Sequence, residues 1–170
     1  MIKDLDFEVD SIHIRGQLKL PEQAESAYPT VLLCHGVPSG IVDTNDGGYP
    51  LLAQTISNEG FAAYTFNFRG SGKSEGNFDV LGWTRDLQSA LLTLLQQPEV
   101  DKKRIALVGF SAGAAVSIFV ASQEKRGISD AQKLEDGKSA HNFFDFRNLL
   151  ALLYSEGERG SSRICRLFRI

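Results

Sequence analysis

Two short stretches of the chain carry residue types at spacings that could do chemistry. Residues 67 to 76 read NFRGSGKSEG, and residues 109 to 113 read GFSAG. The first holds Gly72-Lys73-Ser74, the tail of a phosphate-binding loop. The full pattern, G-x-x-x-x-G-K-[ST], needs another glycine five positions before Gly72, so that the backbone can curl its N–H groups inward at phosphate. Asn67 stands there. The same stretch also fits G-x-S-x-G, as Gly72 to Gly76, the spacing of a nucleophile elbow in which a strained turn lifts a serine between a strand and a helix. Gly109 to Gly113 fits that spacing around Ser111.

Context separates the two. Residues 105 to 121, IALVGFSAGAAVSIFVA, run as an apolar strand, the five-residue turn, then an apolar helix rich in small residues. Ser74 follows Arg, Gly and Ser and precedes Asn77-Phe78-Asp79, with no strand directly before it and no helix directly after. Ser111 is therefore the expected nucleophile. A helix opening at Ala112 would aim its free N–H groups and positive dipole end at the serine. The Ala112 N–H is then one expected oxyanion donor, and the Val37 N–H, just beyond His35-Gly36, is the second.

A nucleophilic serine needs a general base and usually an acid to orient it. His141 is the only histidine beyond the elbow, with Asp130, Asp136 and Asp145 near it. Chain order permits an Asp136 (acid) and His141 (base) pair, although no strand pattern presents either residue. His13 falls in an alternating stretch and reads as a surface residue.

The elements that must position these groups follow from the apolar pattern. Residues 5 to 20, LDFEVDSIHIRGQLKL, alternate and predict an antiparallel strand pair. Thr30 to Cys34, Phe61 to Phe68 and Arg104 to Gly109 are continuous apolar runs, the mark of strands buried on both faces. Between them, YPLLAQTISNEG (Leu51, Leu52, Thr55, Ile56) and Val80 to Gln97 (Leu81, Trp83, Leu87, Ala90, Leu91, Leu94) have helical spacing, closed by Gly60 and Pro98. Buried strands alternating with amphipathic helices imply right-handed crossovers and a parallel sheet with helices on both faces. Ligands bind beyond the carboxyl ends of such strands, which here are His35-Gly36, Asn67-Phe68-Arg69 and Gly109-Phe110-Ser111.

With 170 residues, 42% hydrophobic and 23% charged, the chain can bury a core as one soluble globular domain. A net charge of -3 argues against nucleic acid as a partner, since phosphate contacts need a basic face. Acidic residues in MIKDLDFEVD occupy the place of a signal peptide's apolar run, and no long apolar segment suggests a membrane span; the expected compartment is the cytoplasm. Cys34 and Cys165 give no metal-ligand spacing and read as packing residues. No cofactor or metal is expected.

The pieces CHGVPSG, GFAAYTFNFRGSGKSEG and LVGFSAGAA stand in an order that resembles the α/β-hydrolase superfamily, in its esterase, dienelactone-hydrolase-like and acyl-peptidase-like branches, over residues 1 to about 125. The resemblance implies an α/β-hydrolase fold, an acyl-enzyme on Ser111 and a small-molecule ester or related acyl substrate. It makes the Arg69-Gly70 loop a rim beside the site and His35 the structural histidine of the His-Gly turn. It also implies three further strands after the elbow, carrying the acid and the histidine. Residues 124 to 141 are too poor in large aliphatics for the first of them, 142 to 154 (NFFDFRNLLALLY) predict an apolar helix, and 155 to 170 a loose basic tail. The expectation is a hydrolase core over 1–125, a divergent tail over 126–170 that is not a separate domain, and weak or absent turnover. The alternative is a non-catalytic scaffold or interaction protein. If the last strands are missing, the strand ending at Gly109 becomes an open edge that favours self-association.

Overall fold

The computed structural model describes residues 1–23, 27–38, 48–124 and 151–154. The alternating N-terminal stretch folds as four short strands, where one pair was predicted: β1 (Ile2–Asp4), β2 (Phe7–Val9), β3 (Ile12–Ile14) and β4 (Gly16–Lys19). β1 pairs with β4, while β2 and β3 form a separate two-stranded hairpin. Its turn residues Asp10 and Ser11 both have positive φ (53° and 58°), as the mirror-image turns that match strand twist require.

The rest alternates as the apolar runs predict: β5 (Tyr28–Cys34), α1 (Gly48–Asn58), β6 (Ala62–Phe66), α2 (Val80–Leu95), β7 (Val100–Phe110) and α3 (Ala112–Glu124). The main sheet has the order β1-β4-β6-β5-β7-β8, with β8 at Ala151–Tyr154. β4 runs antiparallel to β6; β6, β5, β7 and β8 are mutually parallel. The chain goes from β5 outward to β6 and then crosses back to β7, so the order reverses at β5. In such sheets the crevice at the reversal, beyond the strand ends, is where ligands sit.

Two expectations for the second half change. Residues 151–154, predicted as the end of a helix, form β8, in register from Leu107 opposite Ala151 to Phe110 opposite Tyr154. The upper half of β7 is therefore paired and not an open edge. A short apolar run such as ALLY suits either state, and a neighbouring strand with free backbone groups decides it.

Side chains divide by strand alternation. Leu32 and Cys34 of β5, Tyr64 and Phe66 of β6, and Ile105 and Leu107 of β7 join the core under α2 and α3. Val31 and Leu33, Ala63, and Val108 face the other way, with Ala53 and Ile56 of α1. Two helical stripes differ from the reading by spacing alone: Leu51 and Leu81 are exposed, while Ala53, Ser57 and Asp86 are buried. α2 starts where Asp79 accepts a hydrogen bond from the Leu81 N–H at 3.0 Å, an N-cap. Among the described residues no helix is long and apolar enough to cross a membrane.

Candidate active site

The elbow is built by two glycines that let a helix touch two strands. A Cβ on Gly109 would lie 2.4 Å from Ala114 Cα, and one on Gly113 would lie 2.3 Å from the His35 carbonyl oxygen and 2.4 Å from that of Cys34. No side chain fits at either point, so α3 begins in contact with the ends of both β7 and β5. Between the glycines, Ser111 takes φ 51°, in the left-handed region that costs an L-residue about 1–2 kcal/mol. Strain of this kind persists where the surroundings over-determine it. Here the Ser111 carbonyl accepts from the Ala114 N–H at 3.0 Å and anchors the first helical turn.

Ser111 is exposed, and Gly36 lies against it. A Cβ on Gly36 would be 3.0 Å from Ser111 Cβ and 3.6 Å from Oγ. The end of β5 and the elbow after β7 thus meet at the sheet's reversal point. Two candidate donors adjoin the residues that meet here. Ala112 opens α3, where N–H groups have no intrahelical partner, and Val37, half exposed at 51%, follows Gly36. Ser74 is used differently. Its hydroxyl donates to the Asn67 carbonyl at 2.5 Å and accepts from the Arg15 N–H at 2.9 Å, so it ties the rim loop to β4's approach.

That rim loop is held from three sides. Asn67, where a phosphate loop would need glycine, packs against Gly72, whose Cβ would fall 2.5 Å from its side-chain oxygen. Arg69 is buried and engages Asp86, itself fully buried, through Nε and Nη2 at 2.9 and 2.7 Å. The Arg69 N–H also donates to Asp86, at 2.9 Å. The bond to Asp86 holds the Arg69 guanidinium above its ordinary pKa. From the hairpin turn, Asp10 accepts from Arg69 at 2.9 Å and from Arg85 at 2.7 Å, and those bonds hold its carboxyl below the usual range. Trp83 donates its indole N–H to the Arg69 carbonyl at 3.1 Å and stacks on Phe68, centroids 4.4 Å apart and 8° from parallel. Sequence reasoning missed this ion pair, although a lone carboxylate at position 86 in the apolar stripe of α2 signals it.

His35 is enclosed by the rings of Phe68, Trp83 and Tyr49. Its Nε2 accepts from the Phe68 N–H at 3.0 Å, and Nδ1 lies 2.6 Å from the Gly36 carbonyl oxygen. Both ring nitrogens are therefore committed, with the proton on Nδ1. Burial pushes the pKa of His35 down, which keeps the ring neutral. Cys34, next to it, is buried, and its thiol is pushed up to about 12; it packs and does not react. His13 sits exposed on β3, its backbone paired with Glu75. His141, Asp136, Asp130, Asp145 and Cys165 lie outside the described residues. Among the described residues no three of His, Cys, Asp and Glu gather as metal ligands.

Comparison with known proteins gives one answer. The sequence family described as "Esterase FrsA-like" matches residues 1–151. Esterase FrsA of Serratia proteamaculans is 30% identical over 139 residues, which cover 75% of this chain and 31% of that protein. Protein bem46 of Schizosaccharomyces pombe is 26% identical over 158 residues, covering 92% of this chain and 49% of the relative. Among solved structures, an α/β serine hydrolase without a lid from Xanthomonas campestris superposes with a TM-score of 0.58 at 26% identity, over 73% of this chain and 57% of that one. An α/β serine hydrolase homologue from Coxiella burnetii gives 0.57 at 29% identity, over 72% and 58%. The chain spans 31% and 49% of the length of these two curated relatives.

Proposed function

The chain belongs to the FrsA-like esterase family, and on that premise we propose that it is a serine hydrolase acting on carboxylic esters or related acyl compounds through an acyl-enzyme on Ser111. The observation that carries this reading is Ser111 itself: exposed, at φ 51°, on a turn between β7 and α3, with Gly36 packed beside its hydroxyl. Ser111 Oγ attacks the carbonyl carbon, the carbonyl oxygen takes the negative charge, and the leaving alcohol departs with a proton. Water then attacks the acyl-enzyme and releases the acid. The Val37 and Ala112 N–H groups receive the oxyanion, and a fixed pair of such donors lowers the barrier because it needs no reorganisation when charge develops.

Proton transfer requires a base. His35 has both nitrogens committed and is not the base. By chain order the role goes to His141, oriented by Asp136. The second reading is a non-catalytic scaffold that retains the elbow without a base. Triad removal typically leaves about 10³- to 10⁴-fold acceleration over water from oxyanion donors and binding, so the two readings differ in rate and in histidine dependence.

The test uses a fluorophosphonate probe with mass spectrometry, and p-nitrophenyl acetate hydrolysis. Ser111 should carry the probe, and Ser111→Ala should remove hydrolysis above the buffer rate while Ser74→Ala leaves most of it. Equal losses from the two changes would sink the assignment. His141→Ala should cut the rate by about 10²-fold or more if it is the base; no change supports the scaffold.

A further inference from the structure

Three large apolar side chains stay in water where α2 begins. Phe78, Val80 and Leu81, interrupted only by the N-cap Asp79, are all exposed, Leu81 at 74% and Phe78 at 52%. One exposed leucine is ordinary, whereas a contiguous apolar patch marks a surface that meets something apolar. Topology puts this patch beside the elbow. β6 and β7 both run parallel to β5, so α2, which follows β6, and α3, which follows β7, begin at the same carboxyl-end rim. The two helices pack together over one core. Neighbouring helix axes stand about 8–10 Å apart, which places Val80 and Leu81 about one helix spacing from Ser111 at the head of α3. Trp83 links the two ends from below: its ring meets that of Phe78 at 5.2 Å and that of His35 at 5.5 Å, and His35 leads into Gly36 beside Ser111 and the exposed Val37.

We propose that this rim is an acyl-chain subsite: the alkyl chain of an ester with an acyl group of about eight carbons runs from the carbonyl at Ser111 past Val37 to Leu81 and Phe78, the length that one helix spacing requires. This rests on the Ser111 reading, since the acyl half is the part that stays on the serine through both steps. The charges that border the patch are engaged with one another. Asp79 accepts from the Leu81 N–H at 3.0 Å and lies 3.9 Å from Arg85, which donates to Asp10 at 2.7 Å. The size of the patch selects its occupant. Four partly exposed side chains offer about a few hundred Å², less than half of the roughly 800 Å² that each partner of a stable protein complex covers, yet enough for one alkyl chain.

The test is a series of p-nitrophenyl esters from acetate to octanoate. A methylene fully removed from water is worth about fourfold; on an open rim, where one side of the chain stays wet, about twofold each gives a rise in kcat/KM of roughly 30- to 100-fold over the series. Leu81→Ser should lower the octanoate-to-acetate ratio by about three- to tenfold. Leu51→Ser, at an exposed leucine of α1, should leave that ratio within about twofold. A flat series, or equal loss from the two leucine changes, overturns the subsite. So does a dimer in sedimentation that Leu81→Ser dissociates, because the patch is then a contact between copies. Trp83 is the chain's one tryptophan and lies under Phe78, so its fluorescence reads the patch without turnover. Octanoate should change the emission saturably in the unsubstituted protein and in Ser111→Ala, more weakly in Leu81→Ser, and acetate should not; no saturable response to octanoate overturns the proposal. If the fluorophosphonate does not label Ser111, the nucleophile reading fails while the octanoate titration still decides the subsite. Labelling at Ser111 with a flat ester series overturns the subsite alone.

Discussion

Replacing Gly113 by alanine adds one methyl group at the point where α3 touches β5. That methyl would sit 2.3 Å from the His35 carbonyl oxygen, 2.4 Å from the Cys34 oxygen and 2.8 Å from the Cys34 carbonyl carbon. All three are backbone atoms, so no side chain can swing aside. Relieving the closest contact to 3.0 Å requires the start of α3 to retreat by at least about 0.7 Å in a core packed at crystal density. Overpacking of this kind costs about 1–3 kcal/mol. With backbone on both sides the upper end applies, partly offset by the helix preference of alanine over glycine, about 1 kcal/mol at an interior position and less at the first turn. A net loss of about 2–3 kcal/mol lowers Tm by about 4–12 °C in a chain of this size. The same retreat carries Ser111 away from Gly36, and a misplacement near 1 Å can cost about 10²-fold in rate. Thermal unfolding by circular dichroism and labelling of Ser111 by the fluorophosphonate measure the two effects. Gly60→Ala is the control: Gly60 has φ 89° and nothing within 4 Å of an added Cβ, so it should lose only backbone strain, about 1–2 kcal/mol, and no labelling rate. If Gly113→Ala melts within about 2 °C of the unsubstituted protein and labels as fast, close approach is not why glycine stands there.

Asp86→Asn should destabilise the chain by about 3 kcal/mol, because the buried Arg69 guanidinium loses its fully buried carboxylate and keeps only the more exposed Asp10; a urea midpoint unchanged from that of the unsubstituted protein would refute this. Stability should also fall with acid in two separate windows. His35 has a folded pKa below its ordinary 6.5, so the unfolded chain binds more protons there. Stability is full above about 6.5 and is lost as pH falls toward the folded pKa, at up to about 1.4 kcal/mol per pH unit. Asp6, Asp10 and Asp101, all held below 3.8, add their losses only at more acid pH. Calorimetric melts between pH 7 and pH 5 should show the first window and lose it in His35→Asn; a profile flat over that interval in the unsubstituted protein refutes a neutral buried His35.

The sequence by itself carried the parallel strands, the helices between them and the elbow. Each is a local pattern: a continuous apolar run, a 3.6-residue stripe, or a serine two positions from a glycine on either side at a strand's end. It also separated Ser111 from Ser74, since only one has a strand before it and a helix after. What the chain could not show locally is which residues meet across it. The Asp10–Arg69–Asp86 cluster joins a hairpin turn, a rim loop and a helix, and its members are ordinary charged residues until folding removes them from water. The N-terminal alternation fits one strand pair or two, and only the pairing of β4 with β6 on one side and the docking of the hairpin on the rim loop distinguish them. The run ALLY became a strand because β7 offered it a partner, which no period of four residues can encode. His35 reads as one histidine beside a glycine; its bond from the Phe68 N–H, just beyond β6, exists only because β5 and β6 lie side by side.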